Sequence, residues 1–214
     1  MPFEYSCFIS YRHCKNQLGK RIINEFYDAL SGELELMTDK AAFLDKDRLE
    51  AGYFYNEELA KSLCKSVCLI MIFTPTYFDI DHTYCAREYK AMEKLEEERL
   101  RLLDNQNGQT HGLIIPIVFR GEGYLPPEIK NRRQYEKFDS FLLSDDEMGK
   151  HPLFASKIRK IAEYIAERCG AFESVSEDPC KDCSGFALPT EDDVRDFLEG
   201  IKQYRQAFPG RGVT

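Results

Sequence analysis

The chain has 214 residues, 43% of them hydrophobic and 31% charged, and a formal net charge of −8. That composition is typical of a globular protein with one sizeable core. It excludes a binder of nucleic-acid backbone, which needs clustered Lys and Arg, but leaves room for a local basic pocket that takes a small phosphate ligand.

The opening "MPFEYSCFISY" has no basic start and no long apolar run, so no secretory signal is expected. The apolar runs "VCLIMIF" and "GLIIPIVF" are too short to cross a bilayer. Of the eight cysteines, Cys7, Cys64, Cys68 and Cys85 sit inside apolar or helical patterns, where the reduced thiol behaves as a small hydrophobe. A reduced, cytoplasmic protein is the expectation.

In chain order, "FEYSCFISY" reads as a first strand. "QLGKRIINEFYDALSG" reads as a helix with Leu18, Ile22, Phe26 and Leu30 at steps of four and Gly32 as its stop. "KAAFL" is a short second strand, and "NEELAKSLCKS" a helix with Asn56 as its cap and Leu59 and Leu63 on one face. "VCLIMIF" has the uniformly apolar pattern of a strand covered on both sides. "CAREYKAMEKLEEERLRLL" is a long helix, "GLIIPIVF" another buried strand, and "YEKFDSF" a short fifth one. "LFASKIRKIAEYIAERCG" is an amphipathic helix with Phe154, Ile158, Ile161 and Ile165 in register and Gly170 as its stop. Strand and helix alternate, which predicts an α/β fold: a flavodoxin-like three-layer sandwich with a mainly parallel five-stranded sheet.

Beyond Gly170 the composition changes. "ESVSEDPCKDCSG" is polar and turn-rich, and "TEDDVRDFLEGIKQYRQAF" reads as a last helix. Thr190 opens its "TEDD" capping pattern, and Val194, Phe197, Leu198 and Ile201 form its apolar face. The organisation is therefore read as a domain over 1–170 and an extension over 171–214 whose helix packs on or beside it.

In a parallel α/β sheet, ligands bind beyond the carboxyl ends of the strands. Three segments should meet there: "SYRH" (Ser10 to His13), the loop "DKDRLEAGYF" from Asp45 to Phe54, and "TPTYFDIDHTYCARE". They offer hydroxyls, a guanidinium, aromatic rings and carboxylates, a set suited to a ligand with phosphates and rings. Glu88 shares a helix face with Tyr84, Met92 and Leu95, whereas Glu93 and Glu96 to Glu98 fall mostly on the water side. A carboxylate in an apolar stripe is either a misfit or an active group; the plainer alternative is that it offsets the helix dipole.

"FISYRH", "FLDKDRLEAGYF", "LIMIFTPTYF" and "TYCAREY", in this order and spacing, resemble the successive boxes of a Toll/interleukin-1 receptor (TIR) domain over roughly residues 3 to 168. Enzymatic members of that family cleave NAD+, and carry a glutamate a few residues after an aromatic at the start of the third helix. The resemblance places these at Glu88 and Tyr84; the aromatic is usually Trp, and this chain has none. It implies Glu88 as the catalytic group. Ser10, Tyr11 and Arg12 would flank the nicotinamide ribose and the phosphates, although the plain reading of Arg12 is a surface ion pair. Phe43, Asp45, Glu50, Phe54 and Tyr84 would complete the NAD+ site, although Asp45 can equally serve to order the loop.

The chemistry asks for little. Nicotinamide leaves as a neutral base, so no general acid is needed. One carboxylate placed against the developing oxocarbenium ion, as stabiliser or nucleophile, does the central work. NAD+ is then a substrate, and no cofactor or metal is required. By resemblance the loop 45–54 is the BB loop, which covers the pocket and joins a neighbouring copy through Leu49, Gly52 and Tyr53; Gly52→Pro should block that assembly. The function implied is an assembly-activated NAD+ glycohydrolase or cyclase in bacterial antiphage defence, working with a separate sensor or effector. A pathogen effector delivered to a host is a further option. The alternatives are a non-catalytic TIR adaptor and another flavodoxin-like domain, such as a nucleoside deoxyribosyltransferase. A phosphoreceiver is disfavoured because Ser10-Tyr11-Arg12 stands where it needs acids.

Other features read as structural. Cys180 and Cys183 form "CKDC", with Cys169 eleven residues earlier and no second pair, so a tail disulfide or two free thiols is expected instead of zinc. The four histidines share no motif. "EKLEEERLR" reads as a solvated helix face, and "RGEGYLPPE" as the turn after a buried strand.

Overall fold

The computed structural model describes residues 3–45, 55–107, 112–142 and 147–207. In chain order it forms β1 (Tyr5–Tyr11), α1 (Gln17–Glu35), β2 (Ala41–Leu44), α2 (Tyr55–Cys64), β3 (Ser66–Phe73), α3 (Tyr84–Asn107), β4 (Ile114–Val118), α4 (Pro127–Arg132), β5 (Glu136–Lys137), α5 (Pro152–Glu173) and α6 (Arg195–Ala207). The strands make one parallel sheet in the order β2-β1-β3-β4-β5. Parallel neighbours require helical crossovers, and the helices cover the sheet as the pairs α1–α5 and α2–α3. This is the expected flavodoxin-like three-layer arrangement. Its chain order reverses between β1 and β3, and that switch point is where such sheets open a crevice.

Burial follows the pattern of the strands. Every residue of β3 is 2% exposed or less, as a central strand covered on both faces must be. A cluster of rings ties α1 and α5 to the β4–β5 edge: Phe138 meets Phe26, Phe141 and Phe154 edge-to-face at 5.7, 5.2 and 5.8 Å.

The helix stops differ from the expectation. α1 passes through Gly32 and α5 through Gly170, ending at Glu35 and Glu173. Glycine in a helix interior costs about 1 kcal/mol. Beyond each glycine lies a buried anchor, Leu34 or Phe172, and burying such a side chain contributes more than that. Asn56 lies inside the first turn of α2 rather than capping it. The turn at "RGEGYLPPE" is confirmed: Gly121 has φ 73°, and a Cβ there would sit 2.5 Å from Pro75 Cγ.

The face expected to be solvated, "EKLEEERLR", is not wholly so. Glu96 and Arg99 are buried. Glu96 accepts from the amides of Leu113 and Ile114 at 2.5 and 3.1 Å, and takes both guanidinium nitrogens of Arg133 at 2.9 and 2.6 Å. Arg99 lies over the Phe3 ring and donates to the carbonyls of Ser66 and Cys64. Glu96 and Arg99 follow Met92 and Leu95 by four residues each, so helical spacing puts them on the buried stripe itself, where the start of β4 and the end of α2, both distant in sequence, cover them.

The expectation of reduced thiols fails at two positions. Cys64, at the end of α2, is bonded to Cys183, 119 residues further on, so neither is free and Cys183 is not paired with Cys180. Loop closure by tertiary packing, invisible to local spacing, brings them together. Among the described residues, no helix is long and apolar enough to cross a membrane.

The segment after α5 lies against the rest of the chain. In the last turn of α5 Phe172 packs edge-to-face on Phe3 at 5.3 Å, and beyond the helix the Pro189 carbonyl accepts from Arg87 at 2.5 Å. Thr190 and Asp193 form the expected reciprocal cap: the Asp193 amide donates to Thr190 Oγ1 at 3.2 Å, and the Thr190 amide to Asp193 Oδ2 at 2.8 Å. Val194, Leu198 and Ile201 are buried, and Phe197 stacks on Tyr89 at 5.9 Å.

Candidate functional site

The carboxyl ends of β1 and β3 meet the start of α3 at the switch point. Side chains alternate along a strand, so Ser10 and Tyr11 point to opposite faces of the sheet. Ser10 faces α3. Its Oγ donates to Glu88 Oε2 at 2.5 Å and lies 2.6 Å from the hydroxyl of Tyr77, in the turn after β3. Ser10 has one proton and gives it to the carboxylate, so Tyr77 must donate in its turn to Ser10. The result is a directed chain, Tyr77 to Ser10 to Glu88. Burial, then the proximity of Cys85 and Glu88, pushes the Tyr77 hydroxyl well above its ordinary pKa and keeps it a neutral donor.

Glu88 is 3% exposed, on the same face as buried Met92 and Leu95. It lies in the second turn of α3, near the positive end of the helix dipole. Among the residues expected from the sequence, Ser10 and Glu88 are therefore brought together. Tyr84 begins the same helix. Its hydroxyl donates to Asn56 Oδ1 at 3.0 Å, and the Arg87 guanidinium lies 5.0 Å from the centre of its ring.

The remaining candidates lie elsewhere. Tyr11 and Arg12 line a cavity of about 70 Å³ on the α1 side, with Ile22, Ile72, Phe119 and Arg120; Glu88 is not in its lining. Tyr11 also donates to the backbone carbonyl of Asp45 at 2.8 Å and stacks on His13 at 4.5 Å. The Asp45 carboxylate is 3.8 Å from His13 Nε2, at the outer end of β2. Phe43 is absorbed in packing, stacked on Phe8 at 5.1 Å and edge-on to Tyr5 at 5.1 Å. Leu49, Glu50, Gly52, Tyr53 and Phe54 lie outside the described residues. The expected set is thus divided by the sheet: Ser10 with Glu88 beneath α3, Tyr11 and Arg12 with Arg120 beneath α1.

Three members of this region are not singled out by local spacing in the sequence. Tyr77 carried no signal except its place in "TPTY", one turn beyond a buried strand. Arg120, a second arginine in the lining of the small cavity, comes just after another buried strand. His13 has a partner only because β1 and β2 are adjacent in register. Behind the site, Phe78 packs edge-to-face on Tyr77 at 4.8 Å and on Phe197 of α6 at 5.2 Å. The C-terminal helix thereby buttresses the turn that carries Tyr77.

No protein-family model matches this chain, and no curated protein matches it at a significant level. What the structure defines is a class, an α/β protein with a five-stranded parallel sheet and a buried carboxylate at its switch point.

Proposed function

We propose that this chain is a TIR-type NAD+ glycohydrolase or cyclase with Glu88 as its catalytic group. It would break the nicotinamide–ribose bond and release nicotinamide with ADP-ribose, or a cyclic or conjugated form of it. The observation that carries the reading is the Ser10–Glu88 hydrogen bond of 2.5 Å at the switch point, the place where open parallel sheets bind ligands. A carboxylate held there by fixed donors, in surroundings drier than water, is suited to oppose the positive charge that develops on the ribose. Arg12, directly after β1, would supply charge for the diphosphate. The accompanying proposals are self-association through Leu49, Gly52 and Tyr53, activation by assembly, a separate sensor or effector, and a role in cytoplasmic antiphage defence.

The test is nicotinamide release from NAD+ by concentrated protein with a crowding agent, with products followed by mass spectrometry. Wild type should turn over, and Glu88→Gln should be slower by about a hundredfold or more. Equal rates would remove Glu88 from the chemistry. Gly52→Pro should reduce both self-association and turnover, and a fully active variant would sink the assembly requirement.

A second reading rests on the burial of Glu88. At 3% exposure the carboxylate is engaged by Ser10 and hidden from solvent, as a structural group would be. The chain would then be a non-catalytic scaffold acting through TIR–TIR contacts. Self-association without nicotinamide release, in wild type and Glu88→Gln alike, would favour it.

A further inference from the structure

Three cysteines converge at the end of α2. Cys64 is bonded to Cys183, and both are buried, 3% and 2% exposed. Cys180 is half-buried and unbonded, with its Sγ 3.6 Å from the backbone carbonyl of Cys64. Residues 180–183 form a turn in which the Cys183 amide donates to the Cys180 carbonyl at 3.1 Å, and this holds the two side chains at the span of a four-residue loop. Beneath them lies Arg99, 1% exposed, which donates to the Cys64 carbonyl and whose charge favours the ionised form of Cys180. A buried disulfide, an accessible thiol beside it and a fixed cation are the parts that thiol–disulfide exchange requires.

We propose that Cys180 is an internal exchange nucleophile that opens the Cys64–Cys183 bond. Cys180 gives its proton to solvent, and its thiolate attacks Sγ of Cys183. The Cys180–Cys183 bond forms as the Cys64–Cys183 bond breaks, and Cys64 leaves as a thiolate that takes up a proton. One disulfide replaces another, so no oxidant or reductant is consumed. The Arg99 charge serves the attacking and the departing thiolate alike. A small thiol from solvent then reduces the less buried Cys180–Cys183 bond and is itself oxidised. Exchange unfastens residues 174–189 from α2; Arg87, which donates to the Pro189 carbonyl at 2.5 Å, and α6 still hold the chain beyond. Burial pushes the Cys180 thiol up to about 11, against the pull of Arg99, so exchange accelerates as pH rises toward that value. The inference is independent of any activity at Glu88.

The experiment uses the oxidised full chain with dithiothreitol, samples being acid-quenched, alkylated and peptide-mapped over time. Wild type should pass through a species bonded at Cys180–Cys183 with Cys64 alkylated. Cys180→Ser and Cys180→Ala should retain Cys64–Cys183 and lose it at least about tenfold more slowly. Cys64→Ser, treated with oxidised glutathione, should form the Cys180–Cys183 bond, which reports the geometry without the long-range link. Equal reduction rates in wild type and both Cys180 variants overturn the proposal. So does the absence of Cys180–Cys183 from both wild type and Cys64→Ser, or an air-purified chain with Cys64 and Cys183 both reduced.

Discussion

Two glutamates of α3 are buried for different reasons, and the difference can be tested. Glu96 is saturated by two backbone amides and a bidentate guanidinium, so its burial is fully compensated. Burial would by itself lower the Arg133 pKa, but the bond to Glu96 more than offsets this and holds it above the ordinary value. Glu96→Ala would leave that cation and the amides of Leu113 and Ile114 unpaired, and should cost about 3–5 kcal/mol in denaturant unfolding. A loss under about 1 kcal/mol would show that water replaces the carboxylate. Gly121→Ala should destabilise by about 1–3 kcal/mol, since φ is 73° and the rigid Pro75 ring blocks the new Cβ. An unchanged unfolding midpoint would contradict that.

Capping and aromatic packing decide how firmly the last helix is held. Thr190→Ala removes the hydroxyl that accepts from the Asp193 amide, and should lower stability by about 1 kcal/mol. Phe197→Ala removes the ring that joins α6 to Phe78 and Tyr89. Its expected effect is larger, about 2–3 kcal/mol, with faster proteolysis after residue 190. Should the two variants resist protease equally, the ring contacts would not be what anchors the helix. The cap was legible in the sequence because it is local, a hydroxyl and a carboxylate three residues apart. The ends of α1 and α5 were not legible, because buried Leu34 and Phe172 outweigh the glycines before them, and burial is not a local property.

Across the molecule, several buried groups must stay neutral. Burial pushes the Cys7 thiol up to about 12 from 9.0, and the Tyr89 and Tyr164 hydroxyls up to about 12 from 10.0. Above pH 9 to 10 the unfolded chain ionises these groups while the folded chain does not. Their contribution is therefore complete below that range and is lost as pH rises toward 12. The denaturant midpoint should fall steeply across this window, and a flat profile would refute the linkage. The Cys64–Cys183 bond closes a long loop. Cys183→Ser should cost up to about 4–5 kcal/mol by the loop-entropy account, read as a drop in unfolding free energy under non-reducing conditions.

The sequence by itself determined the architecture. Alternating apolar strands and amphipathic helices require crossovers, and crossovers require a parallel sheet covered on both sides. It also determined that Glu88 is buried, because its place in the apolar stripe is a matter of helical spacing alone. Tertiary structure decided which groups meet. Only the adjacency of β1, β3 and α3 joins Tyr77 and Ser10 to Glu88, and strand alternation sends Tyr11 to the other face. The same holds for Glu96 with Arg133, and for Cys64 with Cys183 beside Cys180. Each of these partnerships spans tens of residues, where periodicity carries no information and the packing of the core chooses the partner.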